Sequence, residues 1–194
     1  MDVTLTWLLV ATGFTGALTL RFLLKRLEHL FTTPPNIGVH FSPKGGCTEA
    51  VVGEIKRARH EILVQAYSFT SEPISASLVD AKKRGVHVVI LLDKSNETEQ
   101  HTDLHLFMEQ GLAPLIDAKH AIAHNKVMVI DRKTLITGSF NFTNQAESEN
   151  AENLLIIKGH PELISAYRTN FDAHKSHCQP ATKPVPAAHG KRAA

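Results

Sequence analysis

The stretch ILVQAYSFTSEPISASLVDAKKRGVHVVILL, residues 62–92, carries the alternation that sets the fold class. Its opening, Ile62 to Phe69, is rich in β-branched and aromatic side chains and reads as a strand. Pro73 suits the first turn of a helix, where its missing N–H would have no partner anyway. Ile74, Leu78 and Ala81 then give that helix one apolar face as far as Gly85. His87 to Leu92 is almost wholly apolar, as expected of a strand covered on both faces.

The same alternation continues outward in both directions. Upstream, IGVHF (37–41) is strand-like, and Thr48 is placed to cap a helix with Val51, Val52, Ile55 and Ala58 on one face, ending near His60. Downstream, a helix is predicted around His101 to Gln110, stopped by Gly111. Short strands follow at Leu112–Ile116, Lys126–Ile130, Thr134–Thr137 and Leu154–Ile157, and a last helix spans Pro161–His174. This order predicts an α/β domain, a mixed β-sheet sandwiched by helices. No G-x-G-x-x-G or P-loop opens any helix, so a mononucleotide cofactor is not suggested.

The chain has 194 residues, 43% of them hydrophobic and 21% charged, which fits one domain with modest extensions and excludes collagenous, coiled-coil and disulfide-scaffold classes. A formal net charge of +2 does not announce a nucleic-acid binder, so any anionic ligand needs a local cluster. Cys47 and Cys178 stand far apart in no C-x-x-C arrangement, so neither a thiolate zinc site nor a disulfide is assigned. Val3 to Leu20 carries no charge and as a helix would be about 27 Å long, close to the thickness of bilayer hydrocarbon. Arg21, Lys25 and Arg26 follow it. Residues 1–31 are therefore expected to form an N-terminal transmembrane anchor, with the C-terminal side facing the cytoplasm. A cleaved signal is the alternative, which would place the domain in the periplasm or outside the cell. Residues 32–36, with Pro34 and Pro35, read as a linker, 37–178 as the domain, and 179–194 as a disordered tail.

One segment carries chemistry. His124-Asn125-Lys126-Val127-Met128-Val129-Ile130-Asp131 is followed after a turn by Gly138-Ser139-Phe140-Asn141-Phe142-Thr143. Alternate residues of a strand share a face, so His124 and Lys126 project together, and Ser139 and Asn141 have the same spacing. An imidazole, an ammonium, a hydroxyl and a carboxamide suit a phosphodiester: the cation neutralises the nonbridging oxygens and the neutral groups fix their orientation. A lone H-x-K pair would ordinarily be a solvated face; the joint pattern is what points to a site.

That joint pattern resembles the phospholipase D superfamily, whose signature H-x-K-x-x-x-x-D followed by G-S-x-N is matched at His124, Lys126, Asp131, Gly138, Ser139 and Asn141. Ala66 to Thr70, Ala81 to Val86, Gly138 to Thr143 and Glu152-Asn153 are similar to the small bacterial endonuclease branch that carries one motif per chain. The resemblance covers Ile37 to His174. Mitochondrial-surface relatives, read as piRNA-pathway nucleases or cardiolipin hydrolases, share the layout of an anchor before one motif. The resemblance implies that His124 attacks phosphorus to give a phosphohistidine, that a second imidazole protonates the leaving oxygen, and that water resolves the intermediate. With one motif per chain, the second imidazole would be His124 of the partner subunit, so a homodimer is implied. Glu152 matches the carboxylate that orients the catalytic ring, and Asp131 is mostly structural in relatives. No metal or other cofactor is required, because Lys126 supplies the positive charge. The implied activity is that of a non-specific endonuclease on DNA or RNA. The alternatives are a phospholipase D or cardiolipin hydrolase on membrane phospholipids, and a non-catalytic phosphate-binding module on the membrane.

Three further groups have two readings. His101 and His105 are spaced as two ligands on one helix face, with His120 as a conceivable third, but the reading as helix-surface residues is preferred and no zinc site is assigned. Lys56, Arg57 and Arg59, and Lys82, Lys83 and Arg84, either track a nucleic-acid backbone or complement helix dipoles. Tyr67 and Phe69 line a cleft or fill the sheet; the core reading is preferred for both.

Overall fold

The computed structural model describes residues 19–23, 35–99 and 102–182. Residues 19–23 are helical and belong to one unit, Met1–Pro34; Pro35–Ala194 forms another. The expected anchor lies almost wholly outside the described residues, among which no helix is long and apolar enough to cross a membrane.

Within the second unit the chain alternates as its periodicity predicts. The elements are β1 (Asn36–Ser42), α1 (Cys47–Arg57), β2 (Glu61–Ala66), α2 (Glu72–Lys83), β3 (His87–Asp93), a 3₁₀ turn (Lys94–Glu97), α3 (Leu104–Glu109), β4 (Leu115–Asp117), β5 (Lys126–Ile130), β6 (Thr134–Gly138), α4 (Asn144–Ser148), β7 (Glu152–Lys158), α5 (Pro161–Lys175) and β8 (Gln179–Pro180). The strands form one mixed sheet in the order β1-β7-β6-β5-β2-β3-β4-β8. β2, β3 and β4 run parallel and are joined through α2 and α3. β5, β6, β7 and β1 pair antiparallel. Parallel neighbours need a crossover whereas antiparallel ones need only a turn. The β5–β6 turn puts Asp131 and Arg132 at φ 51° and 56°, the conformation that matches the twist of a two-stranded hairpin.

Both faces of the sheet are covered. On one, Val64, Met128, Ile136 and Leu154 join Val51 and Ile55 of α1, Ile74 and Leu78 of α2, and Phe107 of α3. On the other, Leu63, Val129, Leu135 and Ile157 meet Ile164 and Phe171 of α5. Successive residues thus feed opposite cores, and strands such as β5, buried along its whole length, can be apolar throughout.

Several local expectations are corrected. α1 is preceded by Gly46 at φ 77° rather than capped by Thr48. Glu147 of the neighbouring α4 does the capping, accepting from Gly46 N at 3.1 Å and Thr48 N at 2.7 Å. The helix stops at Arg57 because the N–H groups of Arg59 and His60 are taken by Asp131. β2 ends at Ala66, and Phe69 makes only an isolated bridge to Phe142. α4, five residues long, is too short to show a period in the sequence. Gln179–Pro180, placed in the tail by composition, pair with β4; 183–194 lie outside the described residues.

Candidate active site

The pairing register brings one end of every long strand together. β1, β2, β3 and β6 finish at this end, while β5 and β7 begin there: Ala66 lies opposite Lys126, Gly138 opposite Leu154, and Ser42 opposite Glu152. His124, Lys126, Ser139, Asn141 and Glu152 all stand at these strand ends or just beyond them.

His124 precedes β5 and is exposed, whereas Lys126, the first residue of the strand, is buried. Lys126 Nζ donates to the His124 carbonyl at 2.9 Å and lies 5.1 Å from the centre of the Tyr67 ring. Burial pushes the Lys126 ammonium below its ordinary pKa, and the Glu152 carboxylate partly offsets this. The imidazole of His124 packs tilted on Tyr67, ring centres 4.6 Å apart. Tyr67 therefore lines the cleft, against the core reading, while Phe69 is fully buried between Phe107 and Phe142.

The segment after β6 is fixed by β7. A Cβ on Gly138 would fall 2.2 Å from the Asn153 carbonyl oxygen, so only glycine lets the strands approach this closely. Ser139 N donates to Asn153 O at 3.1 Å, and Asn153 N returns a bond to Ser139 Oγ at 3.0 Å. The Ser139 hydroxyl thereby serves as an acceptor and keeps its own proton to donate. Asn141 Oδ1 is buried with no hydrogen-bond partner. Glu152 Oε1 accepts from Asn150 Nδ2 at 3.0 Å; among the described hydrogen bonds none joins it to the His124 ring.

Asp131 is placed elsewhere. It closes β5 about 17 Å from Lys126 at strand spacing, and its carboxylate accepts from the backbone N–H groups of Arg59, His60 and Glu61 at 2.8 to 2.9 Å. Burial alone would raise its pKa, but these bonds outweigh it and hold the carboxyl below the usual carboxylate range.

Two positioning residues escaped sequence reading. Asp93, at the end of β3, accepts from Ala123 N at 2.7 Å and so fixes the residue before His124. Asn96 donates to the Tyr67 carbonyl at 2.7 Å. An aspartate closing a strand and taking the N–H two residues on, here Ser95 N at 2.9 Å, is a common turn device; nothing local showed that its second oxygen reaches residue 123.

Both basic clusters lie at the far end of the sheet, where β2 and β3 begin. Arg84 donates to the terminal carbonyl of Ile55 in α1 at 3.0 Å, Lys82 binds Gly111 O, and Arg57 pairs with Glu54 at 2.8 Å. Arg84 and Lys82 thus bind helix and loop carbonyls, and both clusters lie well away from His124. His105 pairs with Glu109 on the exposed face of α3, and His101 lies outside the described residues. His120 instead meets Asp117, His174 and His177 at the β4 edge.

Comparison with known proteins bears on the family and the fold. Residues 51–175 match the family model described as cardiolipin synthase, PLD-like domain. A protein of Rickettsia bellii named phospholipase D is 43% identical over 136 residues, covering 70% of this chain and 67% of that one. The mitochondrial cardiolipin hydrolase of Chlamydomonas reinhardtii is 33% identical over 55% of this chain and 47% of its own. In three dimensions the chain superposes on Nuc, a phospholipase D family member from Salmonella typhimurium, with a TM-score of 0.73, 33% identity, and coverage of 77% of this chain and 99% of that one. The chain accordingly spans about two thirds of the Rickettsia relative and nearly the whole of Nuc. A motif in register at the strand ends, a matching sheet and a matching family model together place this chain in the PLD-like family of phosphodiesterases.

Proposed function

We propose that the chain hydrolyses phosphodiester bonds through a phosphohistidine at His124, as a homodimer acting chiefly on nucleic acid. The observation that carries this reading is the convergence of an exposed imidazole, a buried ammonium, the Ser139 hydroxyl and the unpaired Asn141 Oδ1 at one end of the sheet. A nitrogen of His124 attacks phosphorus in line, and the P–O bond to the leaving oxygen breaks. That oxygen takes a proton from His124 of the partner subunit. The partner's imidazole then removes a proton from water, which displaces the phosphoryl group from His124 and restores both rings. Lys126 and Ser139 neutralise and orient the nonbridging oxygens, and Asn141 Oδ1 accepts from the attacking water or a substrate hydroxyl. Glu152 sustains the charge of Lys126, and Asp131 holds the opposite end of the strand.

In-line displacement needs an imidazole on each side of phosphorus, and one chain brings a single motif histidine to the cleft; this supports the dimer. Exposed Lys44, Lys94 and Lys119 follow the ends of β1, β3 and β4 at this same end, giving a polyanion cationic contacts beyond the scissile phosphate. A phospholipid substrate is the second reading, favoured by the name of the Rickettsia relative. An anchor in residues 1–31 would hold the cleft at a membrane surface in that case.

The test is digestion of single- and double-stranded DNA and RNA by the full-length protein, without added divalent cation, beside release of headgroup from phosphatidylcholine and cardiolipin vesicles. Cleavage of nucleic acid that vanishes in His124→Ala is expected. Headgroup release without nuclease activity would install the lipase reading. Phosphate binding with neither activity and no acid-labile phosphohistidine would leave only a binding module.

A further inference from the structure

A second cluster lies at the end of β4, next to the edge strand β8. Asp117 ends β4, His120 follows in the loop, His174 sits in the last turn of α5, and His177 lies just beyond that helix. One nitrogen from each ring and one oxygen of Asp117 lie within 4.8 Å of one another. His174 Nδ1 is 2.8 Å and His120 Nδ1 2.9 Å from Asp117 Oδ2, and His177 Nε2 is 3.4 Å from Oδ1. The Asp117 carboxylate is 2% exposed, the rings of His174 and His177 16% and 20%.

We propose that Asp117, His120, His174 and His177 bind one transition-metal dication, Zn²⁺ by preference, which ties the end of α5 to the loop that delivers His124. Three observations carry the assignment. The ligands come as two pairs, D-x-x-H and H-x-x-H, from two separate elements, which is the short spacing by which protein zinc sites bring two donors from one segment. Three neutral nitrogens and one carboxylate suit a borderline-soft ion in a four-coordinate site better than Mg²⁺ or Ca²⁺, which take mostly oxygen. Hydrogen bonding satisfies the four unevenly: His177 Nε2 is buried and makes no well-formed hydrogen bond, its nearest acceptor being Asp117 Oδ1 at 3.4 Å. Around tetrahedral Zn²⁺ with bonds near 2.0–2.1 Å, donor atoms stand about 3.4 Å apart; the separations here run from 2.8 Å to no more than 4.8 Å, so side-chain shifts of about 1 Å complete the site.

The site is closed, because four protein donors fill a tetrahedron, and its role is structural. The loop it grips is held on either side of His120 by backbone contacts. Lys119 N donates to Asp117 Oδ1 at 3.2 Å, Lys94 Nζ to His120 O at 3.0 Å, and Ala123 N to Asp93 at 2.7 Å. The metal thus sets the path of residues 117–124 without touching phosphorus, and this inference stands whether the substrate is nucleic acid or lipid.

Tag-free full-length protein, purified without chelator, is analysed for bound metal by mass spectrometry, then stripped and titrated with Zn²⁺ while its melting temperature is followed. About one Zn²⁺ per chain is expected, with a melting point several degrees higher on reloading, as ligand linkage requires. Asp117→Asn and the double variant His174→Ala/His177→Ala should lose the metal, and His105→Ala should keep it. Loading stripped wild-type protein with Co²⁺ should give the strong visible absorption of tetrahedral cobalt, a readout that needs no variant to fold. Absence of metal together with no thermal shift by Zn²⁺ at micromolar concentration overturns the proposal. Metal that stays bound in the double variant, or an octahedral Co²⁺ spectrum, does so equally.

Discussion

Two polar clusters, one around the single His124 and one with three histidines, stand at the same end of one sheet and are built on opposite plans. Around β5, β6 and β7, His124 and Ser139 are exposed to solvent, and the buried Asn141 oxygen lacks a partner. At β4, three strands along, Asp117 is buried and three imidazoles turn inward on it. Buried polar groups are normally satisfied by one another or by a ligand. The first cluster keeps its hydrogen-bonding capacity for something large that comes and goes, and the second spends its capacity on something small that stays. Chelation and substitution should therefore separate them: one cluster sets turnover, the other stability.

The largest effect that would break this contrast is at His124. His124→Ala is expected to lower turnover by on the order of 10⁴-fold or more, because in the dimer the substitution removes nucleophile and general acid together. Its melting temperature should stay within about a degree of wild type, since an exposed side chain is being trimmed. A comparable loss in His174→Ala with metal content unchanged would show that the second cluster takes part in chemistry.

Lys126→Gln comes next, with an expected loss of about 10²- to 10³-fold in kcat, the usual cost of deleting one preorganised charge or donor at a developing anion. The wild-type pH profile sharpens the point. Burial lowers the pKa of Lys126, and the ammonium is the active form. Activity should then fall as pH rises through that lowered value, earlier than an ordinary lysine near 10.4 would allow. An alkaline limb at the ordinary lysine value would show that Lys126 does not carry the reacting charge.

Asp131 tests stability at the far end of the same strand. Asp131→Ala should cost about 1–2 kcal/mol, the range for losing bonds from backbone donors that water can partly replace, and folded variant should keep wild-type kcat. The carboxyl is depressed in the folded state, so its stabilisation is present above the unfolded value near 3.9 and is lost as pH falls through the folded one. The difference in melting temperature between wild type and variant should accordingly shrink below about pH 4.

The contrast between the clusters also explains what could be read from the chain. His124 and Lys126 are two residues apart on a strand, where spacing is geometry, and Gly138, Ser139 and Asn141 repeat that rule around a close strand approach. Such a site is written locally. Asp117 and His174 are 57 residues apart and meet only because α5 crosses the sheet face and its chain returns as β8 beside β4. His120 could therefore be noticed in sequence only beside its neighbours His101 and His105. Tyr67 was misread for a related reason: β2 ends one residue before it, so the alternation that buries Val64 and Ala66 no longer decides where the ring goes. The edge of the fold failed similarly, because composition assigned Gln179 and Pro180 to a tail while backbone pairing with β4 holds them.

The smallest expected effect concerns which charges a substrate meets. Lys94 and Lys119 follow strands that end at the cleft, whereas Lys83 lies at the opposite end, about 20 Å away along the strands, exposed and 3.7 Å from Asp80. If a nucleic-acid backbone crosses the cleft, Lys94→Ala and Lys119→Ala should each weaken binding a few-fold at low salt and reduce the slope of log affinity against log salt by about 1. Lys83→Ala should leave both unchanged. The readout is affinity for a short single-stranded oligonucleotide across a salt series, in the His124→Ala background so that nothing is cut. A uniform response of all three lysines would mean that the protein attracts polyanions only through its general field, and that the cleft end has no privileged track. A response confined to Lys94 and Lys119 would tie the substrate to the same loop ends that join the two clusters.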